Sequence, residues 1–204
     1  MDKFTRIIAA ACPLNVTNVN TDQLLPARYL KLPRSAGLGK LLLQDLRFDQ
    51  EGREQLDFPL NRPQWRGAKI IVAGRNFGCG SSREAAVYAL YDYGIRCVIA
   101  PSFGDIFAGN AIQNGLLAAA VPDDVAATLM ALLTAAPGTP LTVDLEQQSI
   151  SCEDFSFGFS IDPVRRLRLL NGWDDIALTE SFRDRILAFK AADRSGRPWA
   201  VPAE

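Results

Sequence analysis

Ala68-Lys69-Ile70-Ile71-Val72-Ala73-Gly74-Arg75-Asn76-Phe77-Gly78-Cys79-Gly80-Ser81-Ser82-Arg83-Glu84, continued through Tyr91 and Gly94 to Ile95-Arg96-Cys97-Val98-Ile99-Ala100, is the stretch that decides the fold. Its first six residues have the pattern of a buried strand, residues 83–91 suit a helix, and Gly94 stops that helix. The second apolar run completes a strand, helix, strand unit, which closes right-handed with its two strands parallel. Ligands of such units sit beyond the carboxyl ends of the strands, so residues 74–83 and Pro101-Ser102-Phe103 belong to one rim of the sheet.

Toward the N-terminus, residues 7–11 read as a strand that Pro13 and the polar stretch 15–22 interrupt before Leu24-Leu25-Pro26. Pro33, Gly37 and Gly39 leave little room for a helix before residues 41–43, and residues 49–53 make a charged turn, so this segment is expected to be mostly irregular. Toward the C-terminus, the pattern predicts a short helix over 105–113, a strand over 116–121 and a helix from Pro122 to about Thr134. The partly alternating runs 141–145, 149–152 and 155–159 suit an antiparallel meander. Two amphipathic helices near 164–170 and 179–190 and a surface strap at Arg197-Pro198-Trp199 complete the reading. With no internal repeat and no linker, the expectation is a single α/β domain of mixed sheet over residues 1–204, with a helical segment from about 163.

The 204 residues are 48% hydrophobic, enough for a substantial core. The 22 basic and 23 acidic residues nearly cancel, which leaves no basic field for nucleic acid. No apolar run reaches the roughly 20 residues that span a bilayer, and Met1-Asp2-Lys3-Phe4 lacks a signal-peptide pattern. A cytoplasmic protein without a membrane partner is expected. Cys12, Cys79, Cys97 and Cys152 contain no C-x-x-C pair, and the chain has 0 histidines. No metal site of its own is therefore expected, nor a Ser-His-Asp or Cys-His pair. Cys79, between two glycines at a helix start, invites a nucleophilic reading that the missing histidine weakens.

Gly74, Gly78 and Gly80 form a loop that can approach a ligand closely and leads into a helix start, an anion-binding geometry. No lysine precedes the serines, and Arg83 stands where G-x-G-x-x-G requires its third glycine. A carboxylate gripped by Arg83 fits better than a nucleotide phosphate. A purely structural reading competes with this one: Ser81-Ser82-Arg83-Glu84 also matches the S-x-x-E capping box, in which Ser81 caps the helix and Glu84 bonds back. If Ser81 caps, Ser82 is the free hydroxyl.

Four blocks occur in order: Asn18-Val19-Asn20-Thr21-Asp22-Gln23-Leu24-Leu25-Pro26-Ala27-Arg28-Tyr29-Leu30-Lys31; the Gly74 to Glu84 segment; Ile99-Ala100-Pro101-Ser102-Phe103-Gly104-Asp105-Ile106-Phe107 with Asn114-Gly115-Leu116-Leu117; and Leu169-Leu170-Asn171-Gly172-Trp173-Asp174-Asp175-Ile176-Ala177-Leu178-Thr179. Together they resemble the small subunits of 3-isopropylmalate dehydratase (isopropylmalate isomerase), the family equivalent to the swivelling fourth domain of aconitase. The resemblance implies a three-layer β/β/α swivelling domain with a mixed sheet. It also implies a heteromeric hydro-lyase whose large subunit carries a [4Fe–4S] cluster acting as Lewis acid on a small di- or tricarboxylate. By motif position Ser81 exchanges a proton with the substrate carbon, Ser82 hydrogen-bonds the substrate and Arg83 holds a carboxylate. Arg28, Leu30 and Leu32 lie in the region that in the family helps choose the substituent, and Thr21, Asp22, Gly78 and Gly80 support the loop. Trp173 serves either as surface for the large subunit or as core.

The implied reaction is interconversion of 2- and 3-isopropylmalate by dehydration and rehydration, in leucine biosynthesis. Asn20 stands where the family usually has aspartate, and Ala85 where histidine usually follows the glutamate. These departures would suit a related dehydratase acting on another substituted malate, of homoaconitate, dimethylmalate or citraconate type. A third reading is a carboxylate-binding module without catalysis, in which Ser81 is a cap and nothing more.

Overall fold

The computed structural model describes residues 1–81, 83–152 and 155–200. They form two compact units, Met1–Gly172 and Trp173–Glu204. The first contains β1 (Arg6–Leu14), α1 (Thr21–Leu24), α2 (Gln44–Arg47), β2 (Ile70–Ala73), α3 (Glu84–Tyr93), β3 (Cys97–Ala100), α4 (Asp105–Gln113), β4 (Leu117–Ala120), α5 (Asp123–Ala135), β5 (Pro140–Asp144), β6 (Ser149–Cys152), β7 (Phe155–Gly158) and α6 (Pro163–Asn171). The second contains α7 (Asp175–Glu180) and α8 (Arg183–Gly196).

One seven-stranded sheet, in the order β4-β3-β2-β1-β5-β6-β7, organises the larger unit. β1, β2, β3 and β4 are parallel neighbours, whereas β1, β5, β6 and β7 are antiparallel neighbours. β1 belongs to both halves because it is long: Arg6 to Ala10 pair with β5, and Ala11 to Leu14 pair with β2. This corrects the expectation that Pro13 ends the strand. The Ala10 carbonyl accepts from Lys69 N–H at 3.2 Å, so by alternation Cys12 and Leu14 face β2 while Pro13 faces away. On that side the register with β5 has already ended at Ala10, and no donor is required of the proline.

All residues of β2 and β3 are buried, as expected of parallel strands covered on both faces. On one face, Leu14, Ile71, Ala73 and Val98 pack against Ala86, Val87 and Leu90 of α3 and against Leu24, Leu38 and Leu42 of the irregular segment. On the other, Ile70, Val72 and Ile99 share a core with Leu129 and Leu133 of α5, Leu169 of α6, and Leu141, Val143 and Ile150 of the antiparallel half. The sheet therefore curls until its antiparallel half covers one face of its parallel half, giving the helix, sheet and sheet layering of an α/β fold.

The segment from Ala27 to Arg66 is held by turns and side chains, not by strands. Short 3₁₀ turns cover Ala27–Tyr29, Arg34–Ala36 and Leu38–Leu41. Buried Arg47 donates to Asn61 Oδ1 at 3.0 Å and lies over the rings of Tyr93 (4.9 Å) and Phe48 (5.1 Å), while Asn61 Nδ2 donates back to the Arg47 carbonyl at 2.6 Å. Gly94 ends α3 at φ 114, its N–H bonding the Leu90 and Tyr91 carbonyls.

In the smaller unit, the single helix expected over 179–190 is two. Asp174 caps α7 by accepting from Ala177 N–H at 2.7 Å, which moves the helix start forward. Ser181 Oγ then donates to the Leu178 carbonyl at 2.6 Å where α7 ends, a side-chain bond that competes with helix continuation. Trp173 is half-buried, and a 3₁₀ turn at Pro198–Ala200 leaves Trp199 exposed. No helix is long and apolar enough to cross a membrane among the described residues.

Cys12 and Cys97 sit in the two cores, and burial pushes the Cys12 thiol up from 9.0 to about 12 and the Cys97 thiol up as well. A thiol whose folded value is raised adds stability that is complete below its unfolded value and is lost as pH rises through the folded one. Unfolding by urea should therefore show stability falling from about pH 9 toward pH 12, with a shallower fall in Cys12→Ala. An unchanged slope in that variant would remove Cys12 from the account.

Candidate active site

Three loops meet where β1, β2 and β3 end. The central one, residues 74–83, has little regular structure and borrows its hydrogen bonds from its neighbours. Asn18 N–H donates to the Arg75 carbonyl (2.8 Å), Gly78 N–H to the Val19 carbonyl (2.7 Å) and Thr21 N–H to the Cys79 carbonyl (3.0 Å). From the third loop, the Ser102 carbonyl accepts from Phe77 N–H (3.0 Å) and Gly104 N–H donates to the Phe77 carbonyl (2.9 Å). Ser102 Oγ accepts from Asn76 N–H at 2.9 Å, and Asn76 Nδ2 donates to Asn18 Oδ1 at 2.9 Å.

Two glycines permit this approach. Gly78 has φ +72, and the place a Cβ would take is filled by the Phe107 ring. Gly104 would bring a Cβ within 2.5 Å of the Gly78 carbonyl oxygen. Phe77 meets Phe107 edge-on at 5.4 Å, and Phe103 stacks on Phe107 at 6.3 Å, so an aromatic cluster supports the loop from below. Gly80, at φ +87, turns the chain out toward Ser81.

Ser81 is exposed, and its carbonyl accepts a 2.6 Å hydrogen bond from the hydroxyl of buried Thr21. It does not cap α3. The cap position is Arg83, in extended conformation and without a side-chain cap bond. Glu84 does not return to Ser81 either; its Oε1 accepts from Asn114 Nδ2 at 3.0 Å. The capping-box reading of Ser81 is thus set aside, because backbone bonds from a distant strand loop determine where this chain can bend. Among the described residues none hydrogen-bonds the Ser81 hydroxyl. Ser82, the second candidate hydroxyl, lies outside the described residues.

The Arg83 guanidinium pairs with Asp22 at the edge of the site. Asn20, the departure from aspartate, caps α1 completely: its Oδ1 accepts from Gln23 N–H at 2.8 Å while Gln23 Oε1 accepts from Asn20 N–H at 2.9 Å. An amide serves there as well as a carboxylate. Ala85, in the first turn of α3, packs half-buried against the core. Cys79 Sγ donates to the Asn18 carbonyl at 3.5 Å and so has a structural role. Thr21, Asp22, Gly78, Gly80, Ser81 and Arg83 are thus brought together.

The second group of predicted residues stands on the segment after Pro26. Arg28 pairs with Asp45, whose carboxyl it holds below the usual range, and lies 4.6 Å over the Tyr29 ring. Leu30 and Leu32 are 40% and 42% exposed, and no described hydrogen bond or ring contact joins them to the Ser81 loop. Sequence reasoning missed the supporting roles of Ser102, Asn76 and Asn18; the only available signal was the tendency of asparagine to take positive φ, seen at Asn18 (55) and Asn76 (60).

Among the described residues no group of three or more His, Cys, Asp or Glu side chains is placed to hold a metal ion. Cys12, Cys97 and Cys152 are buried and Cys79 is the one cysteine in this loop. The described residues do not fit an iron–sulfur cluster, which needs several thiolates at one point.

The family model of the aconitase C-terminal domain matches residues 1–124, and one described as LeuD_N matches residues 127–163. The 3-isopropylmalate dehydratase small subunit of Rhodospirillum centenum is 52% identical over 98% of this chain and 100% of its own length. That of Paramagnetospirillum magneticum is 46% identical over 98% and 100%. The chain belongs to the 3-isopropylmalate dehydratase small-subunit family. Its fold agrees: the crystal structure of 3-isopropylmalate dehydratase from Methanocaldococcus jannaschii superposes with a TM-score of 0.62 at 27% identity, covering 91% of this chain and 99% of that one.

Gly78→Ala must place a methyl group into the Phe107 ring at a left-handed backbone angle. It should cost roughly 1–3 kcal/mol of stability, from overpacking and strain together, read as a lower urea midpoint. An unchanged midpoint would show that the loop is free to move away from Phe107.

Proposed function

We propose that this chain is the small subunit of a heteromeric hydro-lyase that interconverts 2-isopropylmalate and 3-isopropylmalate by dehydration and rehydration, in leucine biosynthesis. It acts in the cytoplasm as a single swivelling domain, with its helical segment from about 163, against a cluster-bearing large subunit. The observation that carries this reading is Ser81: exposed, released from helix capping, its carbonyl held by Thr21 at 2.6 Å, and two residues from Arg83.

In that pairing the large subunit's [4Fe–4S] cluster supplies Lewis-acid chemistry at the substrate hydroxyl and carboxylate. This chain supplies the proton transfer. Ser81 Oγ, as the alkoxide, takes the proton from the carbon adjacent to the one bearing the hydroxyl while the C–O bond there breaks and hydroxide leaves, giving an alkene diacid; rehydration adds the proton to the carbon that lost the hydroxyl and the hydroxyl to its neighbour. A serine alkoxide is a costly group in water, and this reading requires N–H groups of the loop and of the start of α3 to stabilise the developing charge. Arg83 takes a substrate carboxylate in place of Asp22, a bidentate exchange that a guanidinium suits. Ser82 adds a hydrogen bond to the same substrate. Leu30 and Leu32 face the isopropyl group, with Arg28 at the root of their loop available to a second carboxylate when it leaves Asp45.

Both departures from the family pattern have structural uses, Asn20 as a cap and Ala85 as packing, so neither calls for a different substrate. The test is reconstitution with the large subunit of the same organism, assayed over isopropylmalate, homocitrate, dimethylmalate and citraconate. Isopropylmalate should have the highest kcat/KM. Ser81→Ala should lower kcat by about 10²–10⁴-fold, the range for loss of a positioned acid–base group, and ordinary turnover by that complex would exclude Ser81 as the proton carrier. Arg83→Lys should raise KM about tenfold or more through loss of the bidentate grip.

A further inference from the structure

The segment after Pro26 carries Leu30 and Leu32 on an arch that has no strand or long helix to define its place. Leu30 N–H bonds the Ala27 carbonyl at 3.2 Å and Leu32 N–H bonds the Tyr29 carbonyl at 3.0 Å, which shapes the arch internally, and between the two leucines and Arg28 only the Tyr29 ring packs half-buried against the core. Two ion pairs flank it. In the first, Arg28 and Asp45 are 52% and 56% exposed, and a pair so open to water contributes little.

The second anchor is different. Arg34 lies 4.4 Å over the Tyr88 ring and 5.7 Å from the Tyr91 ring. Its Nε and Nη2 both donate to Asp92 Oδ1, at 3.2 and 2.9 Å, and the Asp92 side chain is only 20% exposed. Tyr88, Tyr91 and Asp92 stand at i, i+3 and i+4, so they share one face of α3. The planar guanidinium thus meets a ring and a carboxylate at once.

That face leads directly to the candidate site. Glu84, the first residue of α3, follows Arg83 and accepts from Asn114 Nδ2 at 3.0 Å. At 1.5 Å per residue, Tyr88 and Asp92 lie about 6 and 12 Å along the helix from Glu84. Gly39 adds a fixed point five residues after Arg34, since a Cβ there would sit 2.6 Å from the Asp92 carbonyl oxygen. A rigid helix therefore measures the distance between the Ser81 end of the site and the docked segment.

We infer that Arg34 is a specificity-determining positioning residue: by docking on Tyr88 and Asp92 of α3 it sets where Leu30 and Leu32 stand relative to Ser81, and so which substituent the site accepts. The inference rests on the proposed reading of Ser81 as the reacting group and of the two leucines as facing the substituent. Arg34 touches no reacting atom, and its loss is expected to relax discrimination and leave the chemistry in place. Lysine is not expected to replace it, because an ammonium neither stacks flat on Tyr88 nor presents two donors to Asp92.

The experiment uses the reconstituted two-subunit enzyme with wild-type, Arg34→Ala and Arg34→Lys small subunits, assayed on isopropylmalate and on citraconate, whose substituent is a methyl group. Both variants should lose about tenfold or more of the wild-type preference for isopropylmalate, the scale on which methylene-sized differences are discriminated. The loss should come through the KM for isopropylmalate, with kcat on citraconate within about twofold of wild type, since the reacting groups are untouched. Hydrogen exchange of residues 27–37 should rise in both variants and that of residues 68–81 should not. Unchanged preference, full rescue by lysine, an equal fall in kcat on both substrates, or unchanged exchange in 27–37 would each overturn the inference. A wild-type enzyme that does not turn over isopropylmalate would instead overturn the proposed function on which it rests.

Discussion

The hydroxyl of Thr21 donates to the carbonyl of Ser81 at 2.6 Å from a buried position, and the arrangement of the candidate site depends on that bond and its neighbours. A loop of glycines and small polar residues has many conformations open to it, and it loses them on folding only against enthalpic compensation. Here the compensation comes from outside the loop. The first motif contributes the Val19 carbonyl, the Thr21 N–H and the Thr21 hydroxyl; the third contributes Ser102 and Gly104. With its carbonyl committed to Thr21, Ser81 has its direction set, while its side chain remains available.

The convergence of these loops follows from the sheet. β1, β2 and β3 run parallel, so their carboxyl ends lie on one rim and the three motifs that follow them are neighbours there. β1 has a second task. Its first half starts the antiparallel half of the sheet and its second half joins the parallel one, which forces the curl and brings Leu141, Val143 and Ile150 onto the face made by Ile70, Val72 and Ile99. The long segment between β1 and β2 is excluded from the sheet and settles on α3, the helix that begins at the site.

On the proposed function, what results is one side of a reaction centre. The chain has 0 histidines, and its described residues hold no group suited to a metal ion. In the Gly74 to Glu84 segment both arginines are paired, Arg83 with Asp22 and Arg75 with Asp123. Such a surface gains its chemistry by being closed against another, where exclusion of water strengthens the interactions that these groups make. Membership of a family of small subunits agrees with that economy.

Residues 68 to 100, the meander and the helices over α4 and α5 were legible from the chain itself, because their signals are local: apolar runs of strand length, Gly94 after a helix, and Pro122-Asp123-Asp124 before one. The motif around Gly78 and Ser81 was equally legible, and so was its association with Thr21 and Asp22. Three features were not. Ser81 matches a helix cap by spacing, yet Arg83 takes that place, since the Ser81 carbonyl and the Glu84 carboxylate are claimed by Thr21 and Asn114 from 60 and 30 residues away. Pro13 reads as a strand breaker but stands on the side of β1 where no partner asks for its N–H. Arg34 looks like an ordinary surface charge until α3 presents Tyr88, Tyr91 and Asp92, the last 58 residues on, to receive it. Sequence determines what its local periodicity and short-range chemistry can decide: strands, helix ends and the motif that carries the candidate groups. Where a backbone carbonyl or a guanidinium finds its partner is decided by chain segments that only the folded sheet brings within hydrogen-bonding distance.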